Sequence, residues 1–154
     1  MPHTLILAYG NPLRGDDGIG PEAGERLRSI VQDTDVEIRT MHQLTPELME
    51  PVSRAARVIF IDVCEGAVPG AISQRAIEPS TGATRFTHHA TPQALLAGAR
   101  ALYGRAAEAT MLTVAGAEFS LGSGLSPAVA HSLDGVVAAA MRLLDRYQSG
   151  GTDA

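Results

Sequence analysis

The groups in this chain that could do chemistry are two adjacent carboxylates, Asp16 and Asp17, a third at Asp62, and two imidazoles, His88 and His89. Carboxylate oxygens and imidazole nitrogens without thiolate suit a divalent transition ion such as Ni, Zn, Mn or Fe(II). A three-ligand set leaves coordination positions open for a substrate. Each group also has a purely structural reading. An acid at a helix start satisfies free N–H groups and complements the helix dipole. Asp62 could accept N–H bonds from its own turn, and a histidine before a helix is commonly a surface or capping residue. Chemistry requires convergence, and convergence depends on the elements that carry these residues.

Asp16 and Asp17 follow an apolar, β-favouring run, Thr4–Tyr9, which reads as a buried strand. Gly10 and Asn11 stop that strand and Pro12 forbids its continuation. Pro21 suits a first helical turn, and Ala23, Leu27, Ile30 and Val31 mark one helix face. Val36–Met41 alternates as a second strand. Thr45-Pro46 opens a helix with Leu48, Met49 and Val52 inward, which Pro51 should shorten or kink. Residues 57–63 form the strongest strand, apolar until Asp62, as a central strand covered on both faces should be. After a turn over 64–70, residues 71–77 return antiparallel, because the connection is too short for a crossover helix.

Thr91-Pro92 starts a third helix with Leu95, Ala99, Leu102 and Tyr103 on its apolar face, and 109–114 is a further strand. Ser126-Pro127 opens the last helix by the same device; its inner stripe is Val129, Leu133, Val136, Val137, Ala140, Met141 and Leu144. The alternation predicts an α/β fold: a three-layer α/β/α sandwich on a mostly parallel, five-stranded twisted sheet with one antiparallel strand. One domain is expected over 1–147, with 148–154 a frayed tail. On that topology Asp16-Asp17, Asp62 and His88-His89 emerge at one edge of the sheet, where open α/β sheets bind ligands.

Several chemistries are excluded. Gly15 is followed by two acids where a phosphate loop needs Lys, and the chain contains no lysine. The dinucleotide pattern G-x-G-x-x-G and the nucleophile elbow G-x-S-x-G are both absent. Cys64, the single cysteine, rules out an internal disulfide and a Cys-based zinc cluster, and reads as packing or turn filler. A net charge of −5 without a basic cluster argues against nucleic acid as a partner. No signal-like segment and no run long enough to span a bilayer is visible, which predicts a cytoplasmic protein without membrane attachment.

G-N-x-x-x-x-D-D-G-x-G at 10–20, the strand-ending D-x-x-E-G followed by P-G over 62–70, T-H at Thr87-His88, and L-S-P at 125–127 run in order along nearly the whole chain. Together they resemble the NiFe-hydrogenase maturation endopeptidases. That resemblance implies an enzyme that removes a short C-terminal peptide from the hydrogenase large-subunit precursor once nickel has been inserted. It also implies a metal-binding site made of the acid after the first strand, the Asp ending a central strand and the His before the next long helix. By position these are Asp17, Asp62 and His88, as both catalytic and metal-binding residues. Asp16 and His89 are the rival members of their pairs. Glu65 matches a second acid often seen in the turn after Asp62, here one residue shorter.

By the same resemblance the nickel arrives in the precursor and is read by these residues, in contrast to an ordinary metallopeptidase that holds its own ion and ionises a bound water. With no nucleophile pattern, a metal-polarised carbonyl attacked by water is the expected chemistry and no acyl-enzyme is expected. The alternative is a nickel-sensing binding module or chaperone for hydrogenase assembly, with the same ligands and no hydrolysis.

Overall fold

The apolar run at the start of the chain forms β1 (Thr4–Tyr9), and its alternation divides the molecule in two: Leu5, Leu7 and Tyr9 enter one core, Ile6 and Ala8 the other. A computed structural model describes residues 3–81 and 90–150. β1 is followed by α1 (Ile19–Ile30), β2 (Val36–Met41), α2 (Met49–Arg54), β3 (Arg57–Cys64), β4 (Ile72–Ile77), α3 (Pro92–Tyr103), β5 (Glu108–Ala115) and α4 (Pro127–Gly150). The strands form one sheet in the order β2-β1-β3-β5-β4. Every neighbouring pair is parallel except β4 with β5, which is antiparallel as the short connection after β3 requires.

One face of the sheet carries α1 and α4, packed on Ile6, Ala8, Ile59, Ile61, Leu112 and Val114. The other carries α2 and α3, packed on Leu5, Leu7, Val58, Phe60 and Met111. β3 is therefore buried from Val58 to Ile61 on both faces, which accounts for its unbroken apolar run. Burying a side chain as large as Phe60 contributes about 1.5–3 kcal/mol. Edge strand β4 is exposed over most of its length.

Several local expectations give way to packing. In α3 the buried residues are Leu95, Leu96, Gly98 and Ala99, whereas Leu102 is 70% and Tyr103 51% exposed. The last turn of α3 projects past the core before Gly104, in the left-handed region at φ 83°, ends the helix. Ile30, in the last turn of α1, is likewise exposed, and small residues, Gly20, Ala23 and Gly24, bring α1 close to the sheet. Of the three Ser/Thr-Pro pairs only Thr91 caps its helix, accepting from the Ala94 N–H at 3.0 Å. Thr45 precedes a 3-10 turn, Pro46–Leu48, with no side-chain cap, and Ser126 gives its hydroxyl to another partner.

Candidate functional site

The sheet order creates a crevice between β1 and β3. β1 leads outward through α1 to β2, while β3 leads the other way to β4 and β5, so the two neighbouring strands send their connections apart. Such a switch point, outside the carboxyl ends of the strands, is where α/β sheets bind ligands. Ala8 pairs with Ile61, the last register pair between these strands. Tyr9 and Asp62 follow one step further and, in parallel strands, lie on the same face.

The loop between β1 and α1 folds back onto this crevice through close backbone packing. Gly20, in the first turn of α1, sits against the carbonyl oxygens of Tyr9 and Ile61, where a Cβ could not fit. Gly10, at φ 148°, similarly leaves room for Asp17. A single 3-10 turn, Gly15–Gly18, then carries Asp16 and Asp17 ahead of α1. Neither acid caps a helix through its side chain. The half-buried Asp17 accepts the Asn11 N–H at 2.8 Å.

The charge of Asp17 acts on Asp62. Burial pushes the Asp62 carboxyl up to about 7 and the negative charge of Asp17 adds to the rise; the Val63 N–H, at 2.7 Å, and the Tyr9 hydroxyl donate to Asp62 and oppose it. Tyr9 is buried, and burial, the charge and hydrogen bond of Asp62, and the charge of Asp17 all raise its phenol well above the ordinary value. Tyr9 therefore stays a donor. The turn-residue reading of Asp62 accounts for only one oxygen, Oδ1. Two carboxylates held close enough to repel, both half-buried, form an arrangement that a cation would relieve.

Asp16 is a different kind of acid. It is fully buried, its Oδ1 accepts the Ser126 N–H at 2.6 Å, and its Oδ2 accepts the N–H groups of Ala117 and Glu118 at 2.7 and 2.9 Å and the Ser126 hydroxyl at 2.9 Å. Burial alone would raise its pKa, but the backbone bonds from Ala117, Ser126 and Glu118, with the Ser126 hydroxyl, hold it below the usual value. Both oxygens of Asp16 thus accept hydrogen bonds from the loop between β5 and α4, whereas Asp17 accepts from its own loop at Asn11.

His88 and His89 lie outside the described residues. Among the described residues no three His, Cys, Asp or Glu side chains gather as a metal site. Glu65 is exposed and Cys64 is a half-buried free thiol. Sequence reasoning overlooked Tyr9. The available signal was an aromatic residue closing an otherwise aliphatic strand, but its meaning depends on β1 lying beside β3.

No family model matches the chain, and no curated protein matches it by sequence. Solved structures do match. The hydrogenase maturating endopeptidase HybD from E. coli superposes with a TM-score of 0.76 at 21% identity, covering 96% of this chain and 94% of that one. A NiFe hydrogenase maturation protease, HycI from Thermococcus kodakarensis KOD1, gives 0.74 at 18%, covering 93% and 92%. A hydrogenase 2 maturation peptidase from Thaumarchaeota archaeon SCGC_AB-539-E09 gives 0.72 at 23%, covering 93% and 98%. The chain thus has the fold of the hydrogenase maturation proteases over nearly its full length. Among the described residues no helix is long and apolar enough to cross a membrane.

Proposed function

We propose that this chain is an endopeptidase that removes the C-terminal extension of a nickel-loaded NiFe-hydrogenase large-subunit precursor. Nickel belongs to the substrate in this reading, and Asp17, Asp62 and His88 recognise it. The observation that carries the proposal is the coupling of Asp17 to a half-buried Asp62 at the β1–β3 switch point, on a fold shared with proteases of that name. A carboxylate pair with an imidazole offers only oxygen and nitrogen donors, which suits a nickel ion that retains its other ligands from the precursor.

The chemistry asked of this chain is chiefly positional. Asp62, with its pKa near 7, carries a proton part of the time at neutral pH and gives it up when a cation arrives. Tyr9 donates to Asp62 and keeps one orientation of that carboxylate. Gripping the ion fixes the precursor's C-terminal segment over the crevice, so that water adds to the scissile carbonyl and the C–N bond breaks to a carboxylate and an amine. The ion polarises the carbonyl in the manner of a Lewis acid.

The test is incubation of the purified protein with nickel-loaded and nickel-free precursor. Mass loss at the precursor's C-terminus is expected only with nickel, and is expected to disappear in Asp17→Asn, Asp62→Asn and His88→Ala proteins that remain folded. Tight nickel-dependent binding without any mass loss would instead establish the non-hydrolytic chaperone.

A further inference from the structure

We infer that Asp16 is the positioning residue for Asp17, holding it at the crevice by tying the β1–α1 loop to the loop between β5 and α4. The inference deepens the reading above and rests on Asp17 being a metal-recognising ligand.

Asp16 and Asp17 are neighbours in one 3-10 turn but serve opposite sides of it. Asp17 accepts from Asn11 and its charge acts on Asp62, while all four donors to Asp16 come from Ala117, Glu118 and Ser126. The two loops are joined further by the Asp16 N–H to the Glu118 carbonyl at 2.7 Å and the Gly122 N–H to the Leu13 carbonyl at 2.8 Å. Gly15, at φ 58°, lies against the Glu118 carbonyl and the Ser123 hydroxyl, with no space for a Cβ. A mere loop fastening does not need a charge, and burying a carboxylate is costly unless it is hydrogen-bonded. Four charge-assisted bonds, three to Oδ2 and one to Oδ1, fix the turn in angle as well as place. A metal-recognising carboxylate needs that precision, because a ligand left loose loses affinity and rate.

Amide hydrogen exchange on Asp16→Asn, without nickel or precursor, tests this. The substitution keeps the shape but turns an N–H donor toward other donors. The Asn11 amide, which is bonded to Asp17, is expected to exchange about tenfold faster or more, along with the amides of 117, 118 and 126. The core amides of Ile6 and Ile59 serve as the reference. An unchanged Asn11 amide beside faster exchange at 117, 118 and 126 would overturn the inference, because Asp16 would then fasten only the distant loop. A uniform rise that includes Ile6 and Ile59 would overturn it too, as general destabilisation. Should Asp16→Asn not fold, Ser126→Ala removes one hydroxyl donor and must still speed Asn11 selectively, though less. Failure of the nickel reading shows itself separately, as cleavage that survives Asp17→Asn.

Discussion

Tyr9 ends β1 and Asp62 lies two residues before the end of the parallel strand β3, each one step past the Ala8–Ile61 pair, and the phenol donates to the carboxylate. Removing that donor leaves Asp62 with less stabilisation of its charged form, so its pKa rises further. In Tyr9→Phe the acidic limb of the pH–rate profile for precursor cleavage should therefore move to higher pH, toward the alkaline side of wild type. A profile superimposable on wild type would remove Tyr9 from the site.

Asp62 also makes stability depend on pH, in a direction opposite to that of most carboxylates. Its folded-state pKa, about 7, lies above the unfolded value, so stability is full below the unfolded pKa and falls as pH rises through 7. Replacing it with Asn removes that loss. Metal-free Asp62→Asn should melt higher than wild type at pH 8, by about 3 °C or more, with the gap narrowing toward pH 4.5. Thermal unfolding at the two pH values decides this.

Gly20 sets how closely α1 approaches the ends of β1 and β3. In Gly20→Ala the added methyl meets the carbonyl oxygens of Tyr9 and Ile61, which are held in the sheet. A loss of about 1–3 kcal/mol is expected, seen as a lower denaturation midpoint in urea. An unchanged midpoint would mean that α1 can lift without cost.

Thr45 and Thr91 have the same sequence context, each followed by proline, yet only Thr91 caps. Thr91→Ala should cost about 1 kcal/mol. Thr45→Ala should leave the melting temperature within about 1 °C of wild type. Melting both variants side by side checks the contrast, and equal losses would refute it.

The elements themselves were legible because their signals are local. Alternation in Thr4–Tyr9, the apolar run before Asp62 and the stripe of α4 each reflect which face of one element meets the core, and that is written within a few residues. The antiparallel return of β4 followed from a short connection. Local signals misled where an element outruns its partner, as at Leu102 and Tyr103, or where a cap had a better use, as at Ser126.

The sequence by itself determined the α/β sandwich, the order of its elements, and the placement of acids in the loop after β1 and near the end of β3. Only the tertiary structure decided what surrounds each acid. Asp16 and Asp17 are indistinguishable as a dipeptide, and their separation into a fully buried and a half-buried carboxylate depends on donors about a hundred residues away, at Ala117, Glu118 and Ser126. The pairing of Tyr9 with Asp62 likewise depends on β3 lying beside β1. The physical reason is common to both: burial, charge coupling and hydrogen bonding are properties of neighbours in space, and strand order, which no local pattern encodes, chooses those neighbours.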